Sequence, residues 1–153
     1  MKDYKNLMTI ASDQLDLGSQ LLLATRAQRS AIISGDVTRL AQLMERVDDI
    51  VLRIRRSEAE AGAILGDGGL EEALEAMRSG ERAQFEEIRS KTIELLDEVA
   101  SANAANAGLL EDALYYIENT VRLIAGSDGA SSVYSRLGMV DKRAASAAVD
   151  ETA

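Results

Sequence analysis

The 153-residue sequence contains no proline, cysteine, histidine or tryptophan, and aromatic residues make up only 3% of it. Proline is the strongest helix-breaker and contributes about 5% of an average sequence, so its absence favours long, uninterrupted helices. So few aromatic residues are untypical of the core of a β-sandwich or barrel. The composition therefore predicts long helices that pack along narrow apolar stripes.

The missing residue types also exclude whole classes of chemistry. Without histidine or cysteine, the chain cannot build a zinc site from the usual ligands, an iron–sulfur cluster or a histidine-activated nucleophile. The glutamates Glu71, Glu72 and Glu75 form a cluster, but a di-iron helical bundle also needs histidine ligands. We interpret the cluster as a solvated acidic surface. We expect no catalytic residues, no metal site, no cofactor and no enzymatic activity.

Charge and hydropathy restrict the location and the partners of the protein. No disulfide can form, residues 1–6 lack the apolar core of a signal peptide, and no apolar run approaches the roughly 18–20 residues of a membrane span. The net charge of −9 makes nucleic acid and anionic membranes poor partners. We expect a soluble, cytoplasmic protein that neither binds nucleic acid nor inserts directly into a membrane.

Two amphipathic stretches, at about 3–33 and 37–65, are predicted to be the first two helices, because apolar residues recur in them at steps of three and four. Between them, Gly35 suits the left-handed position after a helix, and Asp36 can accept hydrogen bonds from the free amides of the next helix. This pattern predicts a tight turn between antiparallel neighbours. The stripe of the second helix comprises Val37, Leu40, Met44, Val47, Val51, Ile54, Ala61 and Leu65.

A third helical region extends over about 70–125, with a break expected near 79–80. The segment 100–108 contains only small residues and asparagines, which are mediocre helix formers, so we expect a kink or hinge there. Asn106 falls on the apolar stripe, and a buried asparagine needs a hydrogen-bond partner and can fix register. We therefore expect Asn106 to have a structural role.

The fold class that follows is all-α: an elongated antiparallel bundle of three long helices, the third kinked, followed by a flexible tail. We predict a helical domain at 1–125 and the tail at 126–153, because the tail is small, polar and aperiodic apart from the island 133–140. That island either folds back onto the bundle or serves a function.

The predicted lengths leave part of the third helix without a neighbour. The first two helices would each be roughly 45 Å long and the third roughly 80 Å, so the third would run out of neighbours near residue 100. Either the chain folds back at the hinge, or the apolar stripe beyond it is kept for a partner. Adjacent tyrosines lie in this stretch, and only one of them can point fully into a single interface. The candidate partner-binding residues are Leu109, Leu110, Ala113, Leu114, Tyr116, Ile117, Val121 and Ile124.

Three segments carry a resemblance to the flagellar export chaperones of the FlgN type. Residues 34–65 resemble the family's Gly-Asp turn and long charged helix, and residues 103–124 resemble its asparagine, Leu-Leu and aromatic-aliphatic block. Residues 133–138, VYSRLG, resemble the family's tyrosine-to-glycine ending, although Ser135 replaces an acidic residue found in many relatives. The resemblance extends over roughly 7–138.

The resemblance implies a small, acidic, cytoplasmic all-α chaperone. Such a protein binds the C-terminal helical segments of hook-associated (hook–filament junction) proteins, prevents their premature assembly and delivers them to the export apparatus. It also implies that the C-terminal helix contacts these substrates and that Tyr134 contacts the export-gate protein. The alternative is a helical adaptor or structural protein that self-associates through its apolar C-terminal helix, for example as a homodimer.

Overall fold

The computed structural model describes the backbone of residues 4–128 and the side chains of residues 4–126. This part of the chain contains three long helices, α1 (Lys5–Ser34), α2 (Val37–Leu65) and α4 (Ser79–Asp128), and one short helix, α3 (Gly69–Ala76). A 3-10 turn, Gly66–Gly68, joins α2 to α3, and the described residues include no strand. The predicted all-α fold of three long helices is confirmed.

The chain divides into two compact units. The first unit comprises residues 1–109, and the second begins at Leu110. Helix α4 contributes to both units, and its helical hydrogen bonding continues without a break through 100–108, where the sequence predicted a kink or hinge. Nearly all of the predicted tail, including Tyr134, lies outside the described residues.

The turn between α1 and α2 forms as its residues predict. Gly35 has φ 69° and ψ 21°, the left-handed conformation, and its amide donates to the carbonyl of Ile32 at 3.2 Å. The Asp36 carboxylate accepts a hydrogen bond of 3.0 Å from the amide of Arg39. A left-handed glycine and an Asp N-cap together satisfy backbone groups that the two helix ends would leave unpaired.

The break between α3 and α4 falls at Met77 and Arg78, just before the predicted position. The backbone of Met77 is extended, with ψ 147°, and α4 then begins at Ser79. The amide of Arg78 donates to the carboxylate of Glu81 at 3.3 Å, the reciprocal half of a capping box. Ser79 and Gly80 therefore belong to the first turn of α4, where the missing intrahelical bonds make them tolerable.

Two apolar clusters form the core of the first unit, and α1 contributes to both. One cluster buries Leu7 and Ala11 of α1 with Ala73 of α3 and Phe85 of α4. The other buries Leu17, Leu21, Leu22 and Ala24 of α1 with Ile50 of α2 and Val99 of α4. Each fully buried Leu, Ile or Phe side chain contributes about 1.5–3 kcal/mol to folding. Since the clusters follow one another along α1 and α4, these two helices run parallel within the first unit.

The face that α2 turns toward the core contains most of the predicted stripe together with Ile50, which the prediction left out. Ile50 is only 2% exposed and is the one buried residue of α2, whereas Val37 and Met44 of the predicted stripe are exposed. The half-buried positions before and after Ile50 include Val47, Ile54 and Ser57. The prediction was therefore wrong at Val37 and Met44 and missed Ile50, whereas Val51, like Val47 and Ile54, packs against the cluster that contains Ile50.

Candidate partner-binding face

Most of the predicted partner-binding residues are exposed in the second unit. Leu110 is 42% exposed, Leu114 54%, Ile117 51% and Ile124 51%. Ala113 and Tyr116 are exposed as well, and Val121 is half-buried. Leu109 is also half-buried, and it differs from the rest because it is the last residue of the first unit.

Helical geometry places most of these side chains on one side of α4. The large apolar residues follow one another at steps of four, three, four and three, and at about 100° per residue they fall within an arc of about 80°. Ala113 lies at the edge of this arc. We call this surface the C-terminal face and define it by Leu110, Ala113, Leu114, Ile117, Val121 and Ile124.

The two tyrosines occupy different positions around the helix. Tyr116 lies about 100° round from Ile117, and Tyr115 lies about 160° from it. Both rings are largely exposed, at 74% for Tyr116 and 68% for Tyr115. Tyr116 can therefore extend the C-terminal face at its margin, whereas Tyr115 points away from the centre of that face.

Few charges surround the C-terminal face. Residues 110–126 hold three acids, Glu111, Asp112 and Glu118, and one base, Arg122, a net charge of −2. Residues 66–99 hold ten acids and four bases, a net charge of −6. The low charge density and the 3–4 spacing suit an amphipathic helix, which recognises a partner through one apolar side.

The ion pairs found in the described residues belong to the first unit. Arg26 pairs with Glu98 at 3.1 Å, Arg82 with Glu86 at 3.0 Å and Lys91 with Glu87 at 2.7 Å. The hydrogen bond and the charge of Lys91 lower the pKa of the Glu87 carboxyl below its ordinary value, and the same contact raises the pKa of Lys91. These pairs are exposed and distant in sequence from the C-terminal face.

The described residues contain no group of carboxylates arranged to hold a metal ion. None of the described helices is long and apolar enough to cross a membrane. The surface feature that they do present is the exposed apolar side of α4, which can bind another helix.

A second feature, a cavity in the first unit, was not evident from the sequence. It has a volume of about 250 Å³ and is lined by side chains from all four helices, with Gln14 and Arg89 among them. The periodic pattern of each helix assigns its apolar residues to a core but cannot show where packing between several helices is incomplete. The sequence feature that could have indicated the cavity is Arg89, a basic residue next to the apolar stripe of α4.

Comparison with known proteins identifies the family of the chain. A sequence model of the FlgN family, described as FlgN protein, matches residues 1–142 of the chain. No curated protein and no solved structure shows significant similarity to it. Since the family match extends over nearly the whole sequence, the chain belongs to the FlgN family of flagellar export chaperones.

Proposed function

We propose that this protein is a cytoplasmic chaperone that binds the C-terminal helical segments of hook-associated (hook–filament junction) proteins. It prevents their premature assembly and delivers them to the export apparatus. The observation that carries the proposal is the C-terminal face, whose large apolar side chains Leu110, Leu114 and Ile117 are each exposed by 42–54%. Family membership supports the export role, and the resemblance in residues 103–124 supports this class of substrate.

The physical case for a helical substrate rests on spacing and burial. Leu114, Ile117 and Val121 follow one another at steps of three and four, which matches the apolar side of a second helix packed along α4. Burying the exposed half of each large side chain would contribute about 1 kcal/mol. The sum does not convert directly into affinity, because the partner loses translational and conformational freedom on binding.

Covering an apolar helix explains how such a chaperone would hold its substrate. When a subunit assembles through its terminal helices, the apolar side chains that will pack between subunits are exposed before assembly. A chaperone helix that occupies them blocks assembly sterically and shields them from aggregation. The acidic stretch at 66–99 keeps the complex soluble.

Tyr134 is proposed to contact the export-gate protein. The proposal rests on the resemblance of residues 133–138 to the family's tyrosine-to-glycine ending. A tyrosine side chain suits such a contact, since it buries a large area at a low cost in conformational entropy.

The substrate contact is tested by co-expressing the chaperone with the C-terminal segments of the hook-associated proteins and purifying the complex. Replacing both Leu114 and Ile117 with Asp is expected to abolish co-purification, because two carboxylates would be buried in the interface. Leu123→Asp is the matched control: Leu123 is 75% exposed on the same helix but lies about 120° from Ile117. It should leave co-purification intact.

Circular dichroism of the isolated variants distinguishes the C-terminal face from a structural core. If the Leu114→Asp/Ile117→Asp variant loses its helical signal, these side chains stabilise the chaperone itself and the proposal is wrong. Light scattering after size exclusion tests self-association. A stable dimer that persists through the C-terminal face and excludes the substrate would favour the adaptor alternative.

A further inference from the structure

The cavity of the first unit is mainly apolar. Its walls include Leu7 and Ile10 of α1, Ala61 and Leu65 of α2, and Phe85 and Ile93 of α4. Leu7 and Phe85 are buried, whereas Ile93 is 49% exposed, so the cavity reaches from the core toward the surface of α4. Packing in helical cores normally leaves few voids larger than a water molecule.

Three polar side chains also line the cavity, those of Gln14, Arg89 and Thr92. The Thr92 hydroxyl donates to the carbonyl of Ile88 at 2.9 Å, so it is satisfied within its own helix. In the part of the chain that the structure describes, the side chains of Gln14 and Arg89 make no hydrogen bond or ion pair. An apolar cavity with a few unengaged polar groups is the usual form of a binding site.

The charge at the cavity is the reverse of the charge around it. Residues 66–99 carry a net charge of −6, and the neighbouring bases Arg82 and Lys91 are paired with glutamates at 3.0 and 2.7 Å. Arg89 lies between them in the sequence of α4 and forms no ion pair with any residue that the structure describes. Its guanidinium can bind a carboxylate through two parallel hydrogen bonds.

The volume decides what kind of ligand fits. Sites for cofactors and other small molecules usually measure about 300–1,000 Å³, and this cavity, at about 250 Å³, is smaller. It suits one or two bulky side chains of a peptide. We propose that the cavity is a second peptide-binding site, which takes a bulky apolar side chain of a partner segment while Arg89 pairs with an acidic residue beside that side chain.

This site does not depend on the C-terminal face, since its residues all belong to the first unit. A partner helix would present the apolar residue and the acidic residue one turn apart, at i and i+3 or i+4, because these positions lie on the same side of a helix. The apolar residue supplies most of the affinity, and the carboxylate supplies specificity.

The test is a selection of displayed helical peptides, randomised at eight positions on one side, against the full-length protein and two variants. Arg89→Glu reverses the charge at an exposed residue, and Ala61→Leu fills the cavity. Ala63→Leu, at an exposed position on the same helix, is the matched control. Peptides that bind the wild type and the Ala63→Leu control but not Ala61→Leu depend on the cavity. Peptides that bind every one of these proteins are discarded.

We expect the cavity-dependent peptides to share a Leu, Ile, Met or Phe with an Asp or Glu one turn away. Arg89→Glu should weaken their binding at least tenfold and should itself select peptides with Lys or Arg at the acidic position. The proposal is overturned if no binder depends on Ala61, if the selected peptides lack the acidic residue, or if Arg89→Glu selects the same peptides as the wild type. If Ala61→Leu fails to fold, the proposal is judged on Arg89→Glu alone, by whether its selected peptides carry Lys or Arg in place of the acidic residue.

Discussion

Asn106 of α4 donates a hydrogen bond of 3.0 Å from its side-chain nitrogen to the backbone carbonyl of Thr25 on α1, 81 residues away in the sequence. Both residues are buried: Thr25 is 0% exposed and Asn106 6%. The Asn106 amide oxygen, by contrast, is buried and has no hydrogen-bond partner among the described residues. A buried amide with one bond made and one missing adds little net stability, but it favours one register of α4 against α1.

Replacing Asn106 with Asp should therefore be strongly destabilising. A carboxylate cannot donate to the Thr25 carbonyl, and its charge would be buried without a cation, so we expect a loss of about 3 kcal/mol in the free energy of unfolding. Urea denaturation measures it. Asn103→Asp, at an exposed position one turn earlier, should change the free energy by less than about 0.5 kcal/mol. Equal effects at both positions would mean that the Asn106 contact does not form.

Two glycine substitutions should act in opposite directions. Gly18 is buried within α1, and an added Cβ would lie 3.8 Å from the Leu95 side chain, an ordinary van der Waals contact. Gly18→Ala should thus stabilise the protein by about 0.5–1 kcal/mol. Gly35 has φ 69°, so Gly35→Ala should destabilise it by about 1 kcal/mol. Urea midpoints of the two variants test this, and a lower midpoint for Gly18→Ala would show that the close approach of α1 and α4 has no room for a methyl group.

The Glu87–Lys91 pair gives a prediction about pH. The hydrogen bond from Lys91 lowers the pKa of Glu87. The ionised Glu87 therefore stabilises the fold above the ordinary carboxyl pKa, and this stabilisation is lost as pH falls through the lowered pKa. The same contact raises the pKa of Lys91. The stabilisation from the charged Lys91 is therefore lost only as pH rises through that raised pKa. Neutral pH lies between the two transitions, so stability should not vary with this pair there.

An NMR titration of the Glu87 side-chain carboxyl measures the effect directly. Its midpoint should lie below the ordinary glutamate value in the wild type and should return toward that value in Lys91→Met. Both side chains are well exposed, at 58% and 64%, so added salt should also reduce the shift. A midpoint that Lys91→Met leaves unchanged would mean that the two groups do not interact in solution.

Tyr134→Ala should separate substrate binding from delivery. If Tyr134 contacts the export-gate protein, the variant should bind the hook-associated segments as tightly as the wild type, while secretion of those proteins from living cells falls. Tyr115→Ala, away from the centre of the C-terminal face, serves as the control in both assays. Loss of substrate binding in Tyr134→Ala would contradict a separate gate contact.

The features that the sequence predicts best are local ones. The turn at Gly35 and Asp36 follows from residue chemistry alone, because a left-handed glycine and an N-cap aspartate act within four residues. Helix length left two readings of Leu114 and Ile117 open, and the sequence could not show that both side chains are about half exposed.

Features that depend on several helices were not predictable in the same way. The sequence indicated that Asn106 needs a partner, but Thr25 became visible as that partner only once α4 was packed on α1. Ile50 joins Val47, Val51 and Ile54 on the core face of α2, and the sequence missed it because a seven-residue spacing selects only some of the apolar residues on that face. The cavity beside Arg89 arises from four helices together, which no single periodic pattern describes.

The central claim, that the C-terminal face binds the substrate, is tested most directly by calorimetric titration of the full-length protein with the C-terminal helical segment of a hook-associated protein. Wild type and Leu123→Asp should bind the segment with the same affinity, and Leu114→Asp/Ile117→Asp should bind it at least a hundredfold more weakly while remaining helical. Equal binding by all three proteins would contradict the account, because the exposed apolar side of α4 would then play no part in recognition.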